Sequence, residues 1–183
     1  VTQTGTRVEE MRNVGIFDDS DPERRRKTRG LITEASRIAR TYGCYIKEHN
    51  ADYLSTQSLM LRPGLGIKAA NVAPEFGVAE TKSLLQLMDT LGCEMEKDEF
   101  QAIVLESGKW KKWLGENSSA SLTERTLIAG HYCFSDPRVL DIKTRVALHA
   151  QKRGIELDQY LRQAQRVAQQ MADGGLHGRL GFG

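Results

Sequence analysis

The residues best suited to chemistry are His49 and Asp52, which lie three positions apart where a short apolar run ends. An imidazole and a carboxylate at this spacing can bind a metal together, or act as a general base and the group that orients it. In α/β proteins such groups lie at the carboxyl ends of parallel strands. The alternative is structural: His49 bonds a backbone group, and Asp52 caps the short helical turn that starts after Ser55.

Lys68 stands in a second apolar run, where a buried ammonium group needs a partner or a ligand. Such a lysine can bind a sugar phosphate, polarise a carbonyl or, with a lowered pKa, form a Schiff base. The alternative is an ion pair with Glu48 or Glu75. Glu48 directly precedes His49 and therefore points to the other side of a regular strand, where it would need Lys47 or Lys68 as a partner.

Four more residues are candidates for contact with a ligand. Asn71 can donate to a hydroxyl and Glu75 can accept from one, although Glu75 also suits the first turn of a helix. Gln3 lies near the end of the first predicted strand, and Arg7 follows that strand. A loop at this position would face the same cleft as the other candidates. Arg7 is a candidate phosphate contact, or else a solvated side chain.

The elements that must position these groups alternate between strands and helices. A helix is predicted over residues 22–42, because Asp21 can cap it, Pro22 suits its first position and Gly43 ends it. Strands are predicted over residues 44–48 and 67–72. Further helices are predicted over residues 78–91, with an opening at Pro74, and over 97–107, 109–114, 121–132, 137–153 and 157–172.

This order of elements predicts an α/β fold with a parallel sheet. The predicted strands, counting residues 1–5, number three, and a barrel needs eight. We therefore expect the carboxy-terminal strands and helices of a TIM (β/α)8 barrel whose other strands lie on sequence outside this chain, with a small three-layer domain as the alternative. The expected division is residues 1–95 for the last βα units, 96–172 for an all-helical extension that packs on the barrel, and 173–183 for a flexible tail.

Composition and charge exclude several classes of function. The 183 residues are 39% hydrophobic, which is enough to bury the core of one domain. Lys plus Arg exceed Asp plus Glu by only 26 to 24, and the basic run at residues 24–27 follows a group of acidic residues, so we expect no nucleic-acid partner. No apolar run approaches the roughly 20 residues that span a bilayer, and no signal-peptide pattern is present, so no membrane partner is expected. Three cysteines without CxxC spacing fit the cytoplasm.

A set of short segments runs in order through about residues 1–170. They are Val1-Thr2-Gln3-Thr4-Gly5, Glu48-His49-Asn50-Ala51-Asp52-Tyr53, Lys68 with residues 71–76, Glu80, Trp110-Lys111-Lys112-Trp113, and His131-Tyr132-Cys133-Phe134-Ser135-Asp136-Pro137-Arg138. In this order they resemble the Z-type accessory subunits of tagatose-bisphosphate aldolases. The corresponding motifs of that family are Gln-Pro-Gly, Glu-Ala-His-Ser-Thr-Asp-Tyr, a lysine before a Gly-Pro turn, a matching glutamate, Trp-Lys-Lys-Tyr and Arg-Tyr-Tyr-Trp-Pro-His-Ser-Arg. Here Thr4 replaces the proline, and the Gly-Pro turn is absent.

The resemblance implies a sugar-phosphate-binding barrel that acts in aldol cleavage of a ketose bisphosphate or stabilises a catalytic aldolase. The alternatives are an independent metal-dependent sugar epimerase or isomerase, and a non-enzymatic helical interaction protein. The expected cofactor is a divalent metal, zinc by preference, held by a partner or by sequence outside this chain. The expected partners are a phosphorylated or open-chain sugar, and a class II aldolase catalytic subunit or a second copy of the chain. The expected site residues are His49, Asp52 and Lys68 for catalysis, His49 for metal, and Gln3, Arg7, Glu48, Asn50, Asn71 and Glu75 for substrate.

Overall fold

The computed structural model describes residues 4–114 and 118–177, without the side chains of Asp18 and of residues 168–177. Its strands are β1 (Val8–Glu9), β2 (Arg12–Asn13), β3 (Ile46–Glu48) and β4 (Ile67–Ala70). Its helices are α1 (Pro22–Thr41), α2 (Thr56–Leu61), α3 (Pro74–Leu91), α4 (Glu94–Ser107), α5 (Lys111–Leu114), α6 (Leu122–Ala129), α7 (Pro137–Gln151) and α8 (Leu157–His177). Short 3-10 helices cover Ile16–Asp18, Pro63–Leu65 and Gly130–Cys133.

The first long helix, α1, forms where local signals predict it. The Asp21 side chain accepts a hydrogen bond from the backbone N–H of Glu23, and Pro22 occupies the first helical position. Ile32 on the buried face of α1 packs with Phe17 and with the first residues of the two parallel strands, Ile46 and Ile67. This small apolar cluster fixes α1 against one face of the β3–β4 pair.

Strands β3 and β4 pair in parallel, as the alternation of strands and helices predicts. Ile46 pairs with Ile67, Lys47 with Ala69 and Glu48 with Ala70, so the register shifts between the first two pairs. The described residues contain this pair and a separate antiparallel pair, β1–β2, which the sequence did not predict. The arrangement is compatible with the predicted α/β class in a mostly helical chain, and the described strands do not form a complete barrel.

The structure divides into two compact units, and the division falls between Glu75 and Phe76. This is earlier than the boundary that we expected after residue 95. The first unit holds all four strands, α1 and α2, together with the end of α8. The division therefore places the predicted site residues that the structure describes in one unit.

In the second unit, residues 76–168, the described secondary-structure elements are all helices. Its core is apolar, with fully buried side chains at Leu84, Met88, Phe100, Val104, Ile128, Val139, Ile142 and Val146. Trp110 is also buried, its indole N–H donates to the Leu105 carbonyl, and the Arg125 guanidinium lies 4.2 Å from its ring centre. Trp110 therefore packs within the helical core of this unit.

The helix ends of the second unit follow sequence signals closely. Ser121 and Glu124 form a capping box, as their Ser-x-x-Glu spacing predicts, and Asp136 caps the helix that begins at Pro137, as an aspartate before a proline predicts. Helix α8 continues to His177, into the segment expected to be a loose tail, while residues 178–183 lie outside the described residues. Among the helices that the structure describes, none combines the length and the apolar character needed to cross a membrane.

Candidate functional site

The carboxyl ends of β3 and β4 continue as two loops that remain hydrogen-bonded to each other. The N–H of Asn71 donates to the Glu48 carbonyl at 3.0 Å, and the N–H of Ala51 donates to the Asn71 carbonyl at 3.0 Å. These bonds extend the parallel ladder past the strands and bring the polar residues of both loops to one edge. We call His49, Asn71 and Glu75, which are half-buried at this edge, the rim.

His49 and Asn71 contact each other across the rim, as their positions at neighbouring strand ends predict. The Asn71 Nδ2 atom lies 3.4 Å from His49 Nδ1. In the tautomer with the proton on Nε2, His49 Nδ1 can accept a hydrogen bond from the Asn71 amide. In this arrangement Nε2 can donate a hydrogen bond to a ligand.

Asp52 is buried, with 3% of its surface exposed, and it ties the two loops together. Its Oδ1 atom accepts hydrogen bonds from the N–H groups of Ala73 at 2.9 Å and Glu75 at 3.0 Å. Asp52 therefore caps α3 from the neighbouring loop, whereas Ser55 caps α2 by accepting from the Ser58 N–H. The capping alternative is right in kind, but the helix that Asp52 caps is α3 and not the turn after Ser55.

Glu75 forms a second hydrogen bond between the start of α3 and the loop after β3. Its Oε2 atom accepts a hydrogen bond from the Tyr53 N–H at 2.9 Å. Burial raises the pKa of Glu75, the hydrogen bond from Tyr53 lowers it, and the nearby Asp52 carboxylate raises it. The net pKa lies above the ordinary value for a glutamate. A half-buried carboxyl group with a raised pKa is suited to proton exchange with a ligand.

The turn that carries these groups has unusual backbone geometry. Asn50 and Tyr53 both have a positive φ, at 57° and 58°. Asparagine tolerates this region, whereas a bulky tyrosine adopts it at a cost in free energy. Asn13 of β2 holds the turn, since its Nδ2 atom donates to the carbonyls of Asn50 at 3.1 Å and Asp52 at 2.9 Å. The sequence contains no signal that would have singled out Asn13.

Glu48 is fully buried and its partner is Arg62, which corrects the expected pairing with Lys47 or Lys68. Arg62 donates from Nε to Oε2 at 2.8 Å and from Nη2 to Oε1 at 3.2 Å, and the Thr4 hydroxyl also donates to Oε1. The Arg62 guanidinium lies 3.9 Å from the Phe17 ring centre and donates to the Ser58 carbonyl. Because these groups enclose the Glu48 carboxylate, it anchors the fold and does not reach a ligand at the rim.

Lys68 is exposed and does not join the rim, contrary to the expectation of a buried lysine. The register shift opposite Ile46 and Lys47 leaves Lys68 without a strand partner, so the regular alternation of faces does not hold there. Lys68 instead lines a cavity with Arg40 and Tyr45, near the amino ends of the strands.

The first strand end contributes less than expected. Arg7 is exposed and forms an ion pair with Glu9. The Thr6 hydroxyl donates to the His49 carbonyl at 2.5 Å and so fixes the backbone beneath the imidazole. Gln3 lies outside the described residues.

The described residues contain no group of three or more His, Cys, Asp or Glu side chains that could hold a metal ion. The expected divalent metal stays a prediction, and its further ligands would have to come from a partner or from sequence outside the described residues.

Comparisons of this chain with models of protein families, with curated proteins and with solved structures found no match. The resemblance to aldolase accessory subunits accordingly stays a hypothesis that depends on the segments quoted above.

Proposed function

We propose that the chain is a sugar-phosphate-binding α/β protein of the aldolase-subunit type, and that the rim contacts the sugar. The observation that carries this proposal is the parallel pairing of β3 and β4, which brings His49, Asn71 and Glu75 to one edge. Together they offer an imidazole, an amide and a carboxyl group. Such mixed donors and acceptors complement the hydroxyl and carbonyl groups of an open-chain sugar.

Each rim residue has a distinct part in this proposal. His49 donates from Nε2 to a sugar oxygen, and Asn71 fixes the imidazole through Nδ1. Glu75, with its raised pKa, is the group that exchanges a proton with the ligand. Asp52 stabilises the rim by accepting a hydrogen bond from the Glu75 N–H at the start of α3. Glu48 stabilises the end of β3 through its ion pair with Arg62.

The barrel is part of the proposal. A two-stranded parallel sheet is marginal by itself, and parallel sheets are normally covered on both faces. Here one face packs on α1, and the other carries the exposed residues Lys47 and Ala69. We infer that further strands, from outside the described part of this chain, continue the sheet. We also propose a cytoplasmic location, which the three free thiols of Cys44, Cys93 and Cys133 support.

Between the two forms of the proposal, the geometry favours binding or support of a catalytic aldolase over independent aldol cleavage. Of the residues expected to be catalytic, Lys68 is away from the rim, and both Oδ1 bonds of Asp52 serve the backbone. His49 and Glu75 remain as the groups that can move protons. A divalent metal would need ligands beyond His49 from a partner or from sequence outside the described residues.

The test is isothermal titration of the purified chain with tagatose bisphosphate and fructose bisphosphate. The rim variants His49→Ala, Asn71→Ala and Glu75→Gln should each weaken binding about tenfold, because each removes a hydrogen bond or a proton-exchanging group. Lys47→Gln is the matched control, since Lys47 is exposed on β3 and belongs to neither the rim nor the cavity beside Lys68.

Adding a class II aldolase catalytic subunit separates the two roles. An accessory subunit should raise the turnover or the thermal stability of that partner, whereas an enzyme should cleave the ketose bisphosphate alone. Sugar binding that is unchanged in all three rim variants would overturn the proposal. Assembly with a partner in the absence of any sugar binding would favour the helical interaction protein instead.

A further inference from the structure

An open surface cavity of about 460 Å³, whose lining residues are all exposed, lies at the opposite end of the two parallel strands from the rim. It is lined by Arg40, Gly43, Cys44, Tyr45 and Lys68. Tyr45 immediately precedes β3, and Lys68 is the second residue of β4. A strand of three or four residues is about 10 Å long, so the cavity and the rim are separate places on the molecule.

The residues that line this cavity include cations and no carboxylate. Two of its five lining residues are cationic, and none is acidic. Among the described residues, neither Arg40 nor Lys68 has an ion-pair partner. Arg37, one turn earlier on α1, differs, because it donates to both carboxylate oxygens of Glu34 at 2.9 and 2.7 Å. Two cations that share a cavity repel each other, and an anion between them would remove that repulsion.

Gly66 lets Arg40 of α1 lie close to the start of β4. A Cβ atom at Gly66 would lie 1.8 Å from Ser36 Oγ and 3.2 Å from Arg40 Nη2, and the glycine has a φ of 84°. The absence of a side chain therefore lets the start of β4 approach α1 closely, with the Arg40 guanidinium against the backbone of Gly66. Lys68 follows two residues later, and it lines the same cavity as Arg40.

We propose that this cavity, which we call the basic cavity, binds the phosphate group of a small phosphorylated molecule. A guanidinium offers two parallel N–H donors to phosphate oxygens, and an ammonium adds a mobile charge. Tyr45 belongs to the same lining. A volume of this size suits a small ligand, because pockets for small molecules range from about 300 to 1,000 Å³. The inference does not depend on the sugar site proposed at the rim.

The test uses inorganic phosphate and fructose bisphosphate as probes, with unphosphorylated fructose as the uncharged control. Binding is measured by isothermal titration at low ionic strength, where exposed charges are least screened. Arg40→Gln and Lys68→Gln should each weaken phosphate binding about tenfold, and Lys47→Gln should leave it unchanged. Circular dichroism of each variant establishes that its fold is intact.

Three results would overturn the inference. The first is the absence of saturable phosphate binding by the unaltered chain. The second is an equal loss in Lys47→Gln, which would indicate a diffuse positive field. The third is strong retention of DNA or heparin without phosphate binding, which would indicate a surface for polyanions. Failure of the rim proposal is distinguishable, because His49→Ala should weaken binding of fructose bisphosphate and leave inorganic phosphate unaffected.

Discussion

At the scale of single residues, two carboxylates hold the loops of the candidate site together, and they do so unequally. Asp52 is almost fully buried and uses one oxygen for two backbone N–H groups, which is a structural role. Glu75 accepts one such bond and remains half-buried. Because both negative charges lie close together in a partly desolvated place, the more exposed Glu75 is the one whose raised pKa permits proton exchange.

The raised pKa of Glu75 predicts a pH effect on stability with a definite sign. The folded chain binds a proton at Glu75 more readily than the unfolded chain, in which the pKa is near its ordinary value of 4.5. Stability therefore falls as the pH rises from about 4.5 through the folded pKa, and the loss is complete above that pKa. Glu75→Gln keeps an oxygen for the Tyr53 N–H and removes the charge, so its stability relative to the unaltered chain should increase with pH over this window.

Urea unfolding followed by circular dichroism, from acid to neutral pH, measures this difference. Ser55→Ala is the matched control, because it removes the cap of α2 and no ionisable group, so its offset should stay constant with pH. A constant offset for Glu75→Gln as well would contradict the assigned pKa shift.

Individual residues also show how far the sequence predicts a site. His49 and Asn71 were predictable because both follow apolar runs, and parallel strands end at a common edge. The role of Arg62 was not predictable, because nothing in the sequence of an arginine before a Pro-Gly turn indicates that it is buried against Glu48. Lys68 was misplaced because alternation of faces assumes a regular strand, and the register shift removes that regularity.

At the scale of elements, local chemistry predicted helix starts well. The caps at Asp21, Ser121 and Asp136 are all present, because a cap depends on residues within one turn. The hairpin of β1 and β2 was not predicted, since it has only two residues in each strand and depends on Asn13 reaching the loop after β3. The shape of the sheet beyond two strands depends on contacts distant in sequence, and local patterns do not specify those contacts.

Gly66 gives an element-scale prediction about the packing of α1 against β4. Gly66→Ala should destabilise the chain by about 2 kcal/mol or more, because the new methyl group meets Ser36 and the positive φ disfavours alanine. Gly64→Ala is the matched control, since it has no atom within 4 Å of its Cβ position and no positive φ. Urea unfolding measures both, and equal stability of the two variants would contradict the assigned contact between α1 and β4.

At the scale of the whole molecule, the division into two units separates two kinds of core. The first unit is organised around a buried ion pair, with Glu48 and Arg62 both at 0% exposure, and a small apolar cluster. The second has an apolar helical core in which Phe100 stacks on Phe134, with ring centres 6.1 Å apart. In the first unit, the costly defect is a buried charge that loses its partner. In the second unit, it is a cavity in the apolar core.

This separation predicts that each unit can be loosened without the other. Arg62→Met leaves the Glu48 carboxylate buried without its cation, at a cost of about 3–5 kcal/mol, and Phe100→Ala opens a cavity at a similar cost of about 3–5 kcal/mol. Hydrogen exchange followed by mass spectrometry should show faster exchange in β3, α2 and β4 for Arg62→Met, and in α4, α6 and residues 130–134 for Phe100→Ala. Loss of protection in both units from either single change would mean that the chain opens as one cooperative body, and the rim would then depend on the helical core as much as on its own ion pair.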